Sequence, residues 1–174
     1  MKQGGGRQKG NRFELTLARI LSIWWKQPDA NNLPAKELWF RRVPMSGGFD
    51  KRKAGGDIWS VVDEAQTFPF SLEAKNREEW SWDGLFKRNE KWPVLSYWEQ
   101  CCGDATRMKK VPLLVFTKNR HPVYFAVNQW VASELGIGSV VDTQTRLVFG
   151  LFDQLIAIDP EIIISKIRGD YNAE

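Results

Sequence analysis

The stretch GGDIWSVVDEAQTFPFSLEAKN, Gly55 to Asn76, constrains the fold more than any other part of the chain. It holds two runs of strand character, about 57–62 and 69–75, on either side of a turn-prone segment. A hairpin centred on Ala65 sets residue 57 opposite residue 73. Directly opposed residues point to one face of a sheet, with Cα atoms roughly 4.5–5.5 Å apart. Strand alternation puts Glu73 and Lys75 on that face, and Phe70, Leu72 and Ala74 on the other. Asp57, Glu73 and Lys75 therefore share a face. Opposed carboxylates repel unless a positive partner lies between them. A hard divalent cation such as Mg²⁺, which takes one or two carboxylates plus water, is one such partner, and the backbone carbonyl of Ala74 lies between the two acids. A solvated strand face with a Glu–Lys pair is the plainer reading of the same triplet.

The rest of the pattern alternates helix and strand. A helix is expected from about Asn11 to Lys26, a strand over 37–43, and a Gly- and base-rich loop over 44–56. A helix from Val94 to about Lys109 lines up Val94, Leu95, Trp98, Cys102, Ala105 and Met108. VPLLVFT and PVYFAV flank KNRH as a second hairpin, and NQWVASEL reads as a short helix with Asn128 as its cap. RLVFGLFDQLIAIDPEIIISKI carries strand-like apolar runs broken by Pro160. No internal repeat is present. The order implies an α/β layered fold with a mixed sheet flanked by helices. The expected organisation is a mobile basic arm over 1–10, a catalytic domain over 11–135, and a β-rich C-terminal appendage over 136–174 packed on the same domain.

The first helix carries a second acidic candidate. Arg12, Thr16, Arg19, Ser22 and Lys26 cluster on one side of its wheel, and Phe13, Leu17, Ile20, Leu21 and Trp24 on the other. Glu14 falls on the apolar side, where a carboxylate is costly unless it is paired or metal-linked. A buried salt bridge, to Lys75 or an arginine, is the alternative to a catalytic part.

Charge is uneven. Residues 1–53 carry twelve Lys/Arg against four Asp/Glu, whereas the remainder carries thirteen against seventeen. That asymmetry points to an anionic partner at the N-terminal half, with Arg7, Lys9, Arg12, Arg41, Arg42, Lys51, Arg52 and Lys53 as the candidate contacting groups; a solvated basic face is the plainer reading of the asymmetry alone. The adjacent pair Cys101–Cys102 gives neither a disulfide framework nor a zinc spacing and suits a reducing cytoplasm. No apolar run approaches a membrane span, and no secretory signal is read at the N-terminus. His121 is the only histidine, so a histidine triad or zinc site lacks parts. GGGRQKG lacks the spacing and final Ser/Thr of a phosphate-binding P-loop, and GIG at 136–138 reads as a helix stop, so no nucleotide cofactor is expected.

A Glu on the first helix, then GGD, then EAK after a hairpin is the order that resembles the PD-(D/E)xK nuclease superfamily. Within it, RQKGNRFE followed by RVPMSG (42–47) is similar to the archaeal-type Holliday junction resolvases, which also occur in phages. The resemblance spans about residues 7–130. The FDKRKAGG stretch, the Trp-rich 77–93 segment and the last forty or so residues depart from it. It implies a restriction-endonuclease-like core and Mg²⁺-dependent hydrolysis of a phosphodiester, with Mn²⁺ able to substitute. Asp57 and Glu73, with the Ala74 carbonyl, would hold the metal, and Glu14 would hold a metal-bound water or a second cation. Lys75 would orient the attacking water and stabilise phosphate charge, and Ser46 would approach the scissile phosphate. Gln100 could face such a site or be an ordinary surface residue. The expected partner is branched DNA, a four-way junction, cut by a homodimer. Trp80, Trp82, Trp92 and the apolar strands after Arg146 are candidates for its interface or for the core. Another nuclease of the superfamily, acting on duplex or flap DNA, and a non-catalytic DNA-binding protein on the same fold are the alternatives.

Overall fold

The computed structural model describes residues 5–43, 55–87 and 91–167, with the side chains of 5–7 outside that set. A 20-residue helix, α1 (Gly5–Trp24), leads into β1 (Phe40–Arg42), β2 (Ile58–Ser60) and β3 (Phe70–Asn76). A one-turn helix α2 (Asp83–Phe86) precedes α3 (Pro93–Met108). Then come β4 (Val111–Thr117), β5 (Tyr124–Asn128), α4 (Gln129–Leu135), β6 (Val140–Asp142), β7 (Leu147–Leu151), α5 (Phe152–Ile156) and α6 (Pro160–Lys166). These seven strands form one sheet in the order β1-β2-β3-β4-β5-β7-β6. Of its neighbouring pairs, only β3 and β4 run parallel, so the sheet is mixed, and α3 is the crossover that a parallel pair needs.

The β2–β3 register is Ile58↔Leu72, and the Asp57 amide just before β2 also donates to the Leu72 carbonyl, which brings Asp57 alongside the Glu73–Lys75 stretch of β3. The connection is wider than a tight hairpin and contains a 3₁₀ turn at Asp63–Ala65. Side-chain alternation splits the interior into two apolar clusters. Phe70, Leu72, Leu113, Val115 and Phe125 pack under α1, with Phe13, Leu17 and Leu21. Leu114, Phe116, Ala126 and Phe149 pack on the other face with Val94 and Cys101 of α3 and with Trp80 and Trp92. Ser71, Glu73 and Lys75 alternate with Phe70, Leu72 and Ala74 and so belong to the α3 face.

Several expectations shift. Helix α1 begins at Gly5, so residues 5–10 are helical rather than part of an arm, and residues 1–4 of the expected arm lie outside the described residues. Ser22, placed on the polar side of the wheel, is fully buried: its hydroxyl donates to the Ala18 carbonyl and accepts the Phe40 amide at 3.1 Å, joining α1 to β1. On α3 the buried face runs through Val94, Cys101 and Ala105 rather than through Cys102. Asn128 sits at the N-cap of α4 without a side-chain capping bond. Residues 136–167 are part of the main sheet and two short helices rather than a β-rich appendage. Strands β6 and β7 complete the sheet, with β7 paired to β5. The chain then turns helical because Asp159 caps α6 by accepting the Glu161 amide and Pro160 occupies its first turn. Trp80 and Trp92 are 1% and 3% exposed, held in the second cluster, which removes them as free interface residues. Among the described residues no helix is long and apolar enough to cross a membrane.

Candidate active site

Three backbone features position Asp57. The Asp57 amide donates to the Leu72 carbonyl at 2.8 Å, the Val43 amide donates to the Asp57 carbonyl at 2.9 Å, and Gly56 before it adopts φ +73. A Cβ at Gly56 would stand 2.2 Å from the Leu72 carbonyl oxygen, so only glycine lets the chain approach β3 this closely. The Asp57 side chain then accepts the Ala74 amide at 2.9 Å. Glu73 and Lys75 leave β3 on the same face. Lys75 Nζ donates to Glu73 Oε1 and lies 3.9 Å from Asp57 Oδ2, and it sits 6.0 Å from the centre of the Tyr97 ring on α3.

Glu73 is fully buried, and its Oε2 has no hydrogen-bond partner among the described residues. Burial, reinforced by the charge of Asp57, pushes its carboxyl up to about 8 against the opposing pull of Lys75. A buried carboxylate with one bare oxygen beside a second carboxylate is a site short of positive charge. The donor set is hard oxygen: two carboxylates and the intervening backbone of Ala74. That set fits a divalent cation of the Mg²⁺ type, which uses few protein ligands and keeps its own waters. Among the described residues no group of three or more His, Cys, Asp or Glu side chains gathers as a larger metal cluster.

Glu14 comes from α1, on the opposite side of the sheet, and takes a different partner from the one expected of a cation ligand. Arg42 Nε donates to Glu14 Oε2 at 2.5 Å, and Arg42 Nη2 donates to Asn11 Oδ1 at 2.7 Å. Burial raises the Glu14 carboxyl; the Arg42 bond lowers it, and the charges of Asp57 and Lys75 both act on it. Glu14 is therefore within electrostatic reach of the triplet but bound to β1. Arg42, read from the sequence as a DNA contact, is instead the arginine of the alternative reading, the buried-bridge partner of Glu14. Arg41 Nε is tied to the Leu38 carbonyl at 3.0 Å. Lys9 is paired with Glu78, and Arg12 is exposed. Ser46, Lys51, Arg52, Lys53 and the Arg7 side chain lie outside the described residues. Gln100 is exposed on α3.

The group that α3 does bring to the site was not marked in the sequence. Asp104 Oδ2 accepts the Gly56 amide at 3.1 Å, Asp104 Oδ1 accepts from Arg107 at 2.6 Å, and its charge also raises Glu73. Nothing in the local pattern could single it out, because its link to Gly56 exists only once α3 is docked on the sheet.

An acid entering β2 opposite a Glu-x-Lys on β3, in a mixed sheet with helices on both faces, is the arrangement of PD-(D/E)xK nucleases on a restriction-endonuclease-like α/β fold. Residues 5–164 match the family model described as "Phage putative PDDEXK endonuclease", and the chain belongs to this family. No curated protein and no solved structure matches the chain.

Proposed function

We propose that this protein is a Mg²⁺-dependent DNA endonuclease whose reacting groups are Asp57, Glu73 and Lys75. The observation that carries the reading is the bare, fully buried Glu73 Oε2 in a carboxyl group that shares Lys75 with Asp57. The reaction is hydrolysis: water adds to phosphorus and one ester oxygen of the backbone leaves. Asp57 and Glu73, with the Ala74 carbonyl, would hold the cation. Bound there, Mg²⁺, or Mn²⁺ in its place, supplies Lewis acidity at the phosphoryl oxygen and lowers the pKa of water. Lys75, fixed between the two acids, presents a positive charge to the phosphate and orients the water beside it. Glu14 acts at longer range on the charge of this group, and Ser46 would approach the phosphate from the 44–54 segment.

The finer reading is resolution of four-way junctions by a homodimer. The RVPMSG segment and the base-rich N-terminal half support it, as does the exposure of Phe86, Val141 and Leu151 near the β6 edge of the sheet, which offers apolar surface to a second copy. A twofold dimer would put two identical sites on a twofold substrate. The test is cleavage of labelled duplex, flap and four-way junction DNA, with Mg²⁺ or with EDTA, alongside light scattering. Mg²⁺-dependent cutting that favours the junction, by a dimer, is expected. Equal cutting of duplex and junction removes the resolvase reading and keeps the nuclease, and no cutting of any substrate removes both.

A further inference from the structure

At the end of the sheet that carries Lys75, a cleft of about 410 Å³ opens between the first half of α1 and the β4–β5 turn. Lys9, Arg12 and Thr16 form one wall, Asn76 the end of β3, and Asn119 the far wall. We propose that this cleft and the β4–β5 turn beside it form a second contact surface for the DNA backbone, in which Arg12 on the cleft wall and Arg120 on the turn, next to Asn119, hold phosphates flanking the one at Lys75. The inference rests on the nuclease reading for the identity of the ligand.

Position comes first. Lys75 and Asn76 pair with Phe116 and Thr117 of the parallel neighbour β4, so the turn starts one strand spacing, about 4.8 Å, from the strand of Lys75. The crevice outside the carboxyl ends of parallel strands is where open α/β sheets take ligands. The cleft lies beyond the same end of β3 at which Lys75 stands, on the α1 side of the sheet.

Charge comes second. The acid next to the cleft is already satisfied: Glu78 accepts from Lys9 and, at 3.1 Å, from the Asn119 amide. The guanidinium groups of Arg12 and Arg120 are exposed, and neither has a hydrogen bond or ion pair among the described residues. Their charge is therefore open to a ligand, and arginine suits phosphate oxygens through its planar fork of donors.

The third observation is strain in a fixed turn. Arg120 has φ 61, a left-handed conformation that is strained for a non-glycine residue. The turn around it is tied down. Thr117 Oγ1 donates to the Pro122 carbonyl at 2.9 Å, the His121 amide to the Lys118 carbonyl at 3.2 Å, and Lys118 Nζ to the Trp80 carbonyl at 3.0 Å, over the Trp80 ring. Glycine would relieve the strain, and no contact of the arginine side chain among the described residues compensates for it. The tied turn thus holds an exposed arginine, without a hydrogen-bond or ion-pair partner among the described residues, at the edge of the cleft.

The experiment measures binding of the full chain carrying Asp57→Asn, in EDTA, to a labelled duplex and a labelled four-way junction over a range of salt. Adding Arg12→Ala, Arg120→Gly or Arg120→Gln should weaken binding to both. Each should flatten the slope of log K against log salt by about 0.9, the loss of one phosphate contact. Arg120→Gly should also hold or raise the melting temperature, which separates lost charge from lost fold, and Arg120→Gln keeps the backbone strain while removing the charge. Affinity and slope unchanged in all three would overturn the proposal. Cleavage by the wild-type chain tests the nuclease reading separately: a chain that never cuts DNA yet loses slope in these variants keeps the surface and loses the active site.

Discussion

Arg42 Nε donates to the Glu14 carboxylate at 2.5 Å, joining β1 to α1 on the side of the helix next to the acidic triplet. Both side chains are largely covered, at 24% and 18% exposure, so the bond is worth more than a surface pair. Arg42→Ala strips the carboxylate of its charged donor, and a bond to a charged group of this kind contributes roughly 1.5–3 kcal/mol. Glu14→Gln keeps an acceptor for Arg42 and should cost clearly less. Denaturant unfolding of the two variants checks the order; equal losses would mean that the pair does not hold α1 to β1.

The carboxylates and the lysine should separate binding from chemistry. Asp57→Asn and Glu73→Gln each remove an anionic oxygen from the cation set while leaving the basic surface intact. Cleavage should fall by roughly two orders of magnitude or more in either, with DNA affinity in EDTA unchanged. Lys75→Ala should inactivate as well, with cation affinity largely kept, because Lys75 contributes charge and not a ligand. Calorimetric titration with Mg²⁺ and a cleavage assay on one DNA substrate decide this, and near wild-type cutting by Asp57→Asn removes the site assignment.

The pH dependence follows from Glu73, whose carboxyl is raised by burial and by Asp57 to about 8, above its ordinary value of 4.5. An acid raised on folding favours the folded state while it stays protonated. Its contribution is complete below the ordinary value and is lost as pH climbs through the folded one. In EDTA, stability should therefore decline from about pH 4.5 to about 8 through this residue, and Glu73→Gln should flatten that decline. Cation binding needs the ionised carboxylate, so below about pH 8 it should release a proton. Titration with Mg²⁺ at about pH 7 in buffers of different ionisation enthalpy reads that proton directly. No buffer dependence would show that Glu73 is already ionised in the free protein.

The triplet was legible because a hairpin turns one-dimensional spacing into pairing. Period-two alternation and an approximate register bring Asp57 next to Glu73 and Lys75, and Lys75 Nζ lies 3.9 Å from Asp57 Oδ2. Strands β3, β4 and β5 were legible for the same reason. Glu14 was legible only as an inward acid. The wheel shows which way it points but not whether Arg42 or a cation meets it, since Arg42 lies on a strand 28 residues away. The C-terminal helices misread as strands because FDQLIAI and EIIISK are short and rich in β-branched residues, and periodicity does not separate such runs. Ser22 looked polar and exposed because its partner, the Phe40 amide, arrives only with β1.

Asp104 and Gly56 give the last prediction. The Gly56 amide reaches Asp104 Oδ2 at 3.1 Å, so α3 holds the backbone immediately before Asp57 from one side while β3 holds it from the other. Gly55 is also confined, a Cβ there standing 2.2 Å from Met108 Cγ and 3.1 Å from the Asp104 carbonyl oxygen, whereas Gly56 meets the Leu72 backbone at 2.2 Å. Gly55→Ala should therefore force Met108 to repack and cost less than Gly56→Ala. Gly56→Ala must move β2 away from β3 in addition to adopting a left-handed φ, and should cost on the order of 3 kcal/mol and nearly all cleavage. Asp104→Ala removes the acceptor that fixes the turn; cleavage should drop about tenfold through kcat, with KM for DNA little changed, because a displaced Asp57 spoils the reacting geometry and not the DNA surface. Asp104→Asn retains an oxygen for the Gly56 amide and should restore most of kcat. Hydrogen exchange at the Gly56 amide supplies a readout independent of catalysis: fast in Asp104→Ala and slow in Asp104→Asn. If exchange quickens in Asp104→Ala while kcat stays within about twofold of wild type, α3 has no part in placing Asp57.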